Sequence, residues 1–115
     1  MDILNRSAVV LRPKQSYLAW TKRDDAEGLA EGVFETLHEE PCVYLVPGFE
    51  DDDEREELLK EFWPALFEAM LSAWVTDEDL WPKERTFEMF AEWFDVQTYE
   101  MIVDVYMDEA IDYLA

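Results

Sequence analysis

"FEDDDEREELLKEFWPALFEAMLSAW", residues 49–74, runs from five consecutive acids, Glu50 to Glu54, into apolar residues spaced by threes and fours. Leu58, Leu59, Phe62, Trp63, Leu66, Phe67, Met70, Leu71 and Trp74 recur at the helical period, which predicts an amphipathic helix of about five turns or more. Pro64 falls inside the pattern and removes one backbone donor, so a kink or a restart as two helices is expected there. The acids ahead of the apolar run have three candidate meanings: a metal loop, a phosphate mimic or a helix start. A calcium loop alternates its ligands with other residues, carries a mid-loop glycine and ends in a distant glutamate, and "EDDDEREELLKE" has none of these. Acids in a first helical turn satisfy free N–H groups and complement the macrodipole, so the run reads as a helix start that binds divalent metals only weakly and diffusely.

The flanking segments supply the other elements. "SAVVLR", residues 7–12, is short, β-branched and closed by Pro13, as a buried strand would be. Pro13 is expected in the first turn of a helix through "KQSYLAWTKR", with Tyr17, Leu18 and Thr21 facing inward beside Trp20. "DDAEG" then ends that helix, and Leu29, Val33, Phe34 and Leu37 suggest a weak second one interrupted by Gly28 and Gly32. Pro41 stops it, "CVYLV" reads as a strand, and Pro47-Gly48 marks the turn out. Thr76 to Trp81 is a polar connection. Thr86 is a natural N-cap for "FEMFAEWF", whose Phe87, Phe90, Ala91 and Phe94 share one face, with the helix ending near Asp95. "TYEMIVDVY" alternates Tyr99, Met101, Val103 and Val105 against Glu100, Ile102, Asp104 and Tyr106, the period of a strand with one face partly solvated. The tail "MDEAIDYLA" reads as a helical turn or a frayed end. At 115 residues the chain has the size of one domain, and the pattern predicts a small single α+β domain, residues 1–115, with about three strands and helices packed on the sheet.

Composition narrows the function classes. Half the residues are apolar and 15% aromatic, too many for a disordered acidic tail despite a formal charge of -20. Residues 1–23 hold five basic side chains and one acid, a net +4, whereas residues 24–115 hold four basic and twenty-eight acidic ones, a net -24. Such a surplus repels nucleic acid and anionic lipid, so direct binding to either is unexpected, while a basic protein would be attracted. "LRPK" with Arg6, Lys22 and Arg23 is the only basic concentration, and neutralising the acidic helices is its simplest use. Cys42 is the single cysteine, a small thiol opening an apolar strand. With no basic-then-apolar leader pattern and no apolar run of about 18 residues, the chain reads as cytoplasmic and not membrane-bound.

"NRSAVVLRPKQ", "VYLVPGFE" and "LWPKERTFEMFAEWFDV" together resemble a family of small acidic bacterial proteins with no assigned activity, over most of the chain. The resemblance implies a bacterial cytosolic setting and a stand-alone domain. It transfers no catalytic, metal or cofactor residue.

Among chemical candidates, Glu54, Glu57, Glu61 and Glu68 fall at helical steps opposite the apolar face, and Glu88, Glu92 and Asp95 form a second stripe. Either stripe alone is too sparse for a nucleic-acid mimic, because helical steps give about one charge per 5 Å against about 3.4 Å per phosphate on a DNA strand. Mimicry would need several acidic elements to converge. Glu100 and Asp104, on one expected strand face, are the nearest approach to a catalytic carboxylate pair, and His38 has no partner set by spacing. No phosphate loop, dinucleotide fingerprint, nucleophile elbow or Cys/His metal motif occurs, and neither metal nor cofactor is expected. Trp63, Trp74, and the Met89 and Trp93 pair sit at the margins of apolar arcs, where core packing competes with a role as interface anchors. The resulting expectation is a non-enzymatic interaction protein that meets a basic partner through Glu54, Glu57, Glu61, Glu68, Glu88 and Glu92, with Trp63 and Trp93 as anchors. The alternative is a small enzyme using carboxylates in a pocket no motif reveals.

Overall fold

The computed structural model describes residues 1–23, 41–106 and 108–114. Short ladder residues Asp2–Ile3 form β1, and "RSAVVLRP" forms β2, Arg6–Pro13. Next come α1, Gln15–Arg23, and β3, Cys42–Pro47. Then α2 spans Asp52–Trp74, a single 3-10 turn occupies Glu78–Leu80, and α3 spans Phe87–Trp93. Finally β4 is Phe94–Tyr99 and β5 is Val103–Asp104. The fold is α+β, as the periodicities predict. Its main sheet is antiparallel with order β3-β2-β4, and β1 pairs with β5 in a separate two-stranded ribbon. The weak helix over Leu29–Leu37, the "DDAEG" stretch and His38 lie outside the described residues.

The register fixes which side chains share a face. Leu11 stands opposite Cys42 and Val96, Val9 opposite Tyr44 and Thr98, and Ser7 opposite Val46. These point to one side of the sheet, where α1, α2 and α3 cover them. Phe94 is the hub: Tyr17 from α1, Phe67 from α2 and Phe90 from α3 lie 5.3, 5.4 and 5.6 Å from its ring. Phe67 and Leu11 are wholly buried. Tyr17 donates its hydroxyl to the Met70 carbonyl at 2.8 Å, so its polar end is satisfied within the core. Arg55 Nε donates to Thr98 Oγ1 at 2.7 Å and ties the start of α2 to β4.

Four expectations are corrected. Pro13 ends β2 opposite Phe94 instead of opening α1; the inward alternation Val9, Leu11, Pro13 continues through it, and the helix begins two residues later. Pro64 neither splits nor restarts α2, which runs unbroken over 23 residues. The missing donor lies on the solvent side, and buried Leu58, Leu59, Leu66 and Phe67 hold the turns on both sides against the core. The strand expected from Thr98 begins at Phe94, directly after α3 and without a loop. Phe94 is both the C-cap of α3, donating its N–H to the Phe90 carbonyl, and the first inward residue of β4. The strand expected to run on to Tyr106 is broken: at Glu100 the chain leaves the ladder, where Ser7 Oγ donates to its carbonyl at 3.0 Å, and only Val103–Asp104 pairs again. Met101, Val103 and Val105 are exposed, because the β1–β5 ribbon lacks a second layer among the described residues. The tail, residues 108–114, forms no helical turn.

Candidate functional site

The acidic run starts α2. Asp51 has extended backbone, φ -143° and ψ 175°, and its carboxylate accepts from the Glu54 N–H at 2.8 Å. In return, Glu54 Oε2 accepts from the Glu50 N–H at 3.0 Å. This is a reciprocal cap displaced by one residue from the usual box, with Asp52, Asp53 and Glu54 in the first turn at the positive end of the helix dipole. Glu54 therefore belongs first to the helix start. Among the described residues, no three His, Cys, Asp or Glu side chains converge to hold a metal.

The remaining stripe residues face solvent. Glu57 and Glu61 are exposed on α2, away from its core-facing side, and Glu88 and Glu92 are exposed on α3. Only two ion pairs form between described residues, Arg85 with Glu68 at 3.1 Å and Lys83 with Asp79 at 3.9 Å. Thus Glu68 is neutralised, while Glu57, Glu61, Glu88 and Glu92 have no ion-pair partner among the described residues. The helices bearing them are neighbours: Trp63 on α2 meets Phe87 and Phe90 on α3 at 6.4 Å each. The N-terminal cations play no part in either pair. Arg6 donates to the Asn5 carbonyl, Lys14 to the Ala91 carbonyl, and the side chains of Lys22 and Arg23 lie outside the described set.

Trp63 and Trp93 are half-buried at the edge of the core. Trp93 packs against Phe67, Trp20 and Tyr17, with centroids 5.4, 5.9 and 6.3 Å away. Each leaves part of its ring exposed and gives the rest to the fold.

The carboxylates suggested for acid-base work do not pair on one strand face. Glu100 sits at the bend after β4, and Asp104 is in β5, where its carboxylate accepts from the Tyr106 N–H at 2.9 Å. A cleft of about 550 Å³ is bordered by Arg6, Ser7, Glu50, Glu54 and Glu100. Ser7 Oγ, wholly buried, is already committed, accepting from the Phe49 N–H at 3.1 Å and donating to Glu100. The displaced titrations lie in the core: burial drives the Tyr17 and Tyr44 hydroxyls well above the ordinary phenol range, with nearby Cys42 adding to the effect.

One surface escaped the periodicity reading. The sheet face turned away from the helices carries Val10, Val43, Leu45 and Tyr99, and the last three are exposed. The clue was the continuous apolar run "CVYLV", which fits a strand apolar on both faces as well as a buried one.

No helix among the described residues is long and apolar enough to cross a membrane. Comparison with known protein families, with characterised proteins and with solved structures yields no match to this chain.

Proposed function

We propose that the chain is a non-enzymatic interaction protein that captures a basic partner on the acidic surface of α2 and α3. Its sharpest form is competition with nucleic acid for that partner; a bacterial cytoplasm is the setting in which we place it. The observation that carries the reading is the set of exposed glutamates, Glu57, Glu61, Glu88 and Glu92, without an ion-pair partner among the described residues, on two adjoining helices. Like charges held side by side cost stability, and a basic partner converts that cost into attraction and faster encounter. Glu54 adds charge while serving the helix cap, Glu68 flanks the surface with its charge met by Arg85, and Trp63 and Trp93 provide the adjoining aromatic contacts.

Position, and not total charge, is what the test must isolate. Two variants serve: one reverses Glu57, Glu61, Glu88 and Glu92 to lysine, and the other reverses the exposed Asp2, Asp108, Glu109 and Asp112. Both change net charge equally. Basic proteins retained from host extract by the parent chain and by the second variant, but lost by the first, would support the surface. Equal retention by the two variants would refute it.

A further inference from the structure

Three of the five tryptophans, Trp20 from α1, Trp81 from the connection and Trp93 from α3, meet around a cavity of about 410 Å³. Met89 lines it too, and Asp79 and Lys83 stand at its rim. The volume lies within the usual range for ligand pockets of about 300–1,000 Å³. The polar ends of two indoles are already used: Trp20 Nε1 donates to the Leu80 carbonyl at 3.3 Å, and Trp81 Nε1 to the Val75 carbonyl at 2.8 Å. Trp20 and Trp81 are themselves buried, so they give the cavity carbon surface and no free donor, while half-buried Trp93 gives it the accessible indole. Such walls suit a cation better than an anion or a hydrogen-bond acceptor. The rim agrees, because the Asp79 side chain is 94% exposed and its pairing with Lys83 is long, at 3.9 Å. A bond of that kind between solvated groups exchanges readily.

We infer that this cavity is a socket for an arginine side chain of the basic partner, with its guanidinium against the tryptophans and its fork on Asp79 in place of Lys83. The inference rests on the basic-partner reading above and adds the side chain recognised. Arginine is favoured over lysine because a planar, weakly hydrated guanidinium stacks on an indole and binds a carboxylate through two N–H groups at once, whereas an ammonium must give up a tight hydration shell. The protein already makes this arrangement on one of the same rings. The guanidinium carbon of Arg85 lies 5.8 Å from the Trp81 ring centroid while its Nη2 reaches Glu68 at 3.1 Å, an arginine held between an indole and a carboxylate. Asp79 with the three tryptophans repeats those components around an open cavity, and Glu88 and Glu92, exposed and without an ion-pair partner among the described residues, share α3 with Met89 and Trp93.

Two synthetic peptides of equal length and charge, alternating glycine with arginine or glycine with lysine, test the socket on the whole chain. Tryptophan emission and calorimetry report binding. The arginine peptide should bind about fivefold more tightly, within the range of a partly desolvated cation–π contact. That preference should fall below about twofold in Asp79→Asn, whose site is too exposed to disturb folding, and in Trp93→Leu, with circular dichroism confirming the fold. Equal affinity for the two peptides, or a preference that survives both substitutions, would overturn the socket. If binding then still weakens with salt and with reversal of the four helix glutamates, the acidic surface stands without it. An arginine preference abolished by Asp79→Asn but indifferent to salt and to the helix glutamates would do the opposite, keeping the socket and removing the surface. Failure of both peptides to bind at low salt overturns both.

Discussion

Replacing Asp51 by alanine and by asparagine separates the two effects the acidic run combines. Asparagine keeps a side-chain oxygen that accepts from the Glu54 N–H, now bonded at 2.8 Å, and is as good an N-cap as aspartate. Alanine removes the acceptor as well as the charge. Both variants lose one negative charge from a protein at -20, so any relief of self-repulsion cancels between them. Their difference is the cap, about 1 kcal/mol within a span of roughly 0.5–2. For a chain of this length that corresponds to a melting difference of about 4 °C, alanine below asparagine. Paired thermal melts at neutral pH, followed by circular dichroism with coincident probes to establish two-state unfolding, measure it directly. Equal melting of the two variants, or alanine melting higher, would show that the run does not cap α2 and that its acids are present for another reason.

Three further outcomes follow from the core and the charge. Phe67→Ala should cost about 3–5 kcal/mol, since a wholly buried ring at 5.4 Å from Phe94 and 5.9 Å from Phe90 is removed; urea unfolding should show a lower midpoint at unchanged slope, and a loss under about 1 kcal/mol would place Phe67 outside the core. The Tyr17 hydroxyl holds its proton more tightly folded than unfolded, so its contribution is complete below the unfolded phenol value and is lost as pH rises above about 10, at up to about 1.4 kcal/mol per pH unit. Tyr17→Phe should therefore be less stable than the parent at neutral pH, through the lost bond to Met70, yet show a shallower alkaline decline; parallel profiles would refute the burial argument. Moderate salt should raise the melting temperature by screening the acidic surface, and a midpoint that stays or falls would remove self-repulsion as a major term.

What could be read beforehand follows physical lines. The long helix was legible because nine apolar positions kept one period from Leu58 to Trp74, and Thr86 was legible as a cap because its hydroxyl had a helical N–H to accept, that of Met89. Pro64 was misread: one lost donor on a solvated face weighs less than the packing of buried residues before and after it. The junction of α3 and β4 was misplaced because Phe94 satisfies the helical spacing from Phe87 and Phe90 and the strand alternation with Val96 and Thr98 at once. Alternation from Tyr99 to Val105 indicates two faces and cannot indicate whether a second layer covers either. The glutamate stripes were visible from spacing alone, whereas their neutralisation was not, since Arg85 reaches Glu68 across 17 positions. The tryptophan cavity was invisible for the same reason: Met89 and Trp93 stood out as a pair, but only the folded chain brings Trp20 and Trp81 beside them.

The acidic-surface account is tested most directly by association kinetics. The arginine peptide, or a basic partner once one is captured, is followed by stopped-flow fluorescence against the parent chain, the four-site helix reversal and the charge-matched reversal of Asp2, Asp108, Glu109 and Asp112. The account predicts that the helix reversal slows association about tenfold or more at low salt and flattens its salt dependence, while the control variant stays within about threefold of the parent. Association slowed equally by the two reversals would mean that net charge alone attracts the partner, and that Glu57, Glu61, Glu88 and Glu92 form no binding surface.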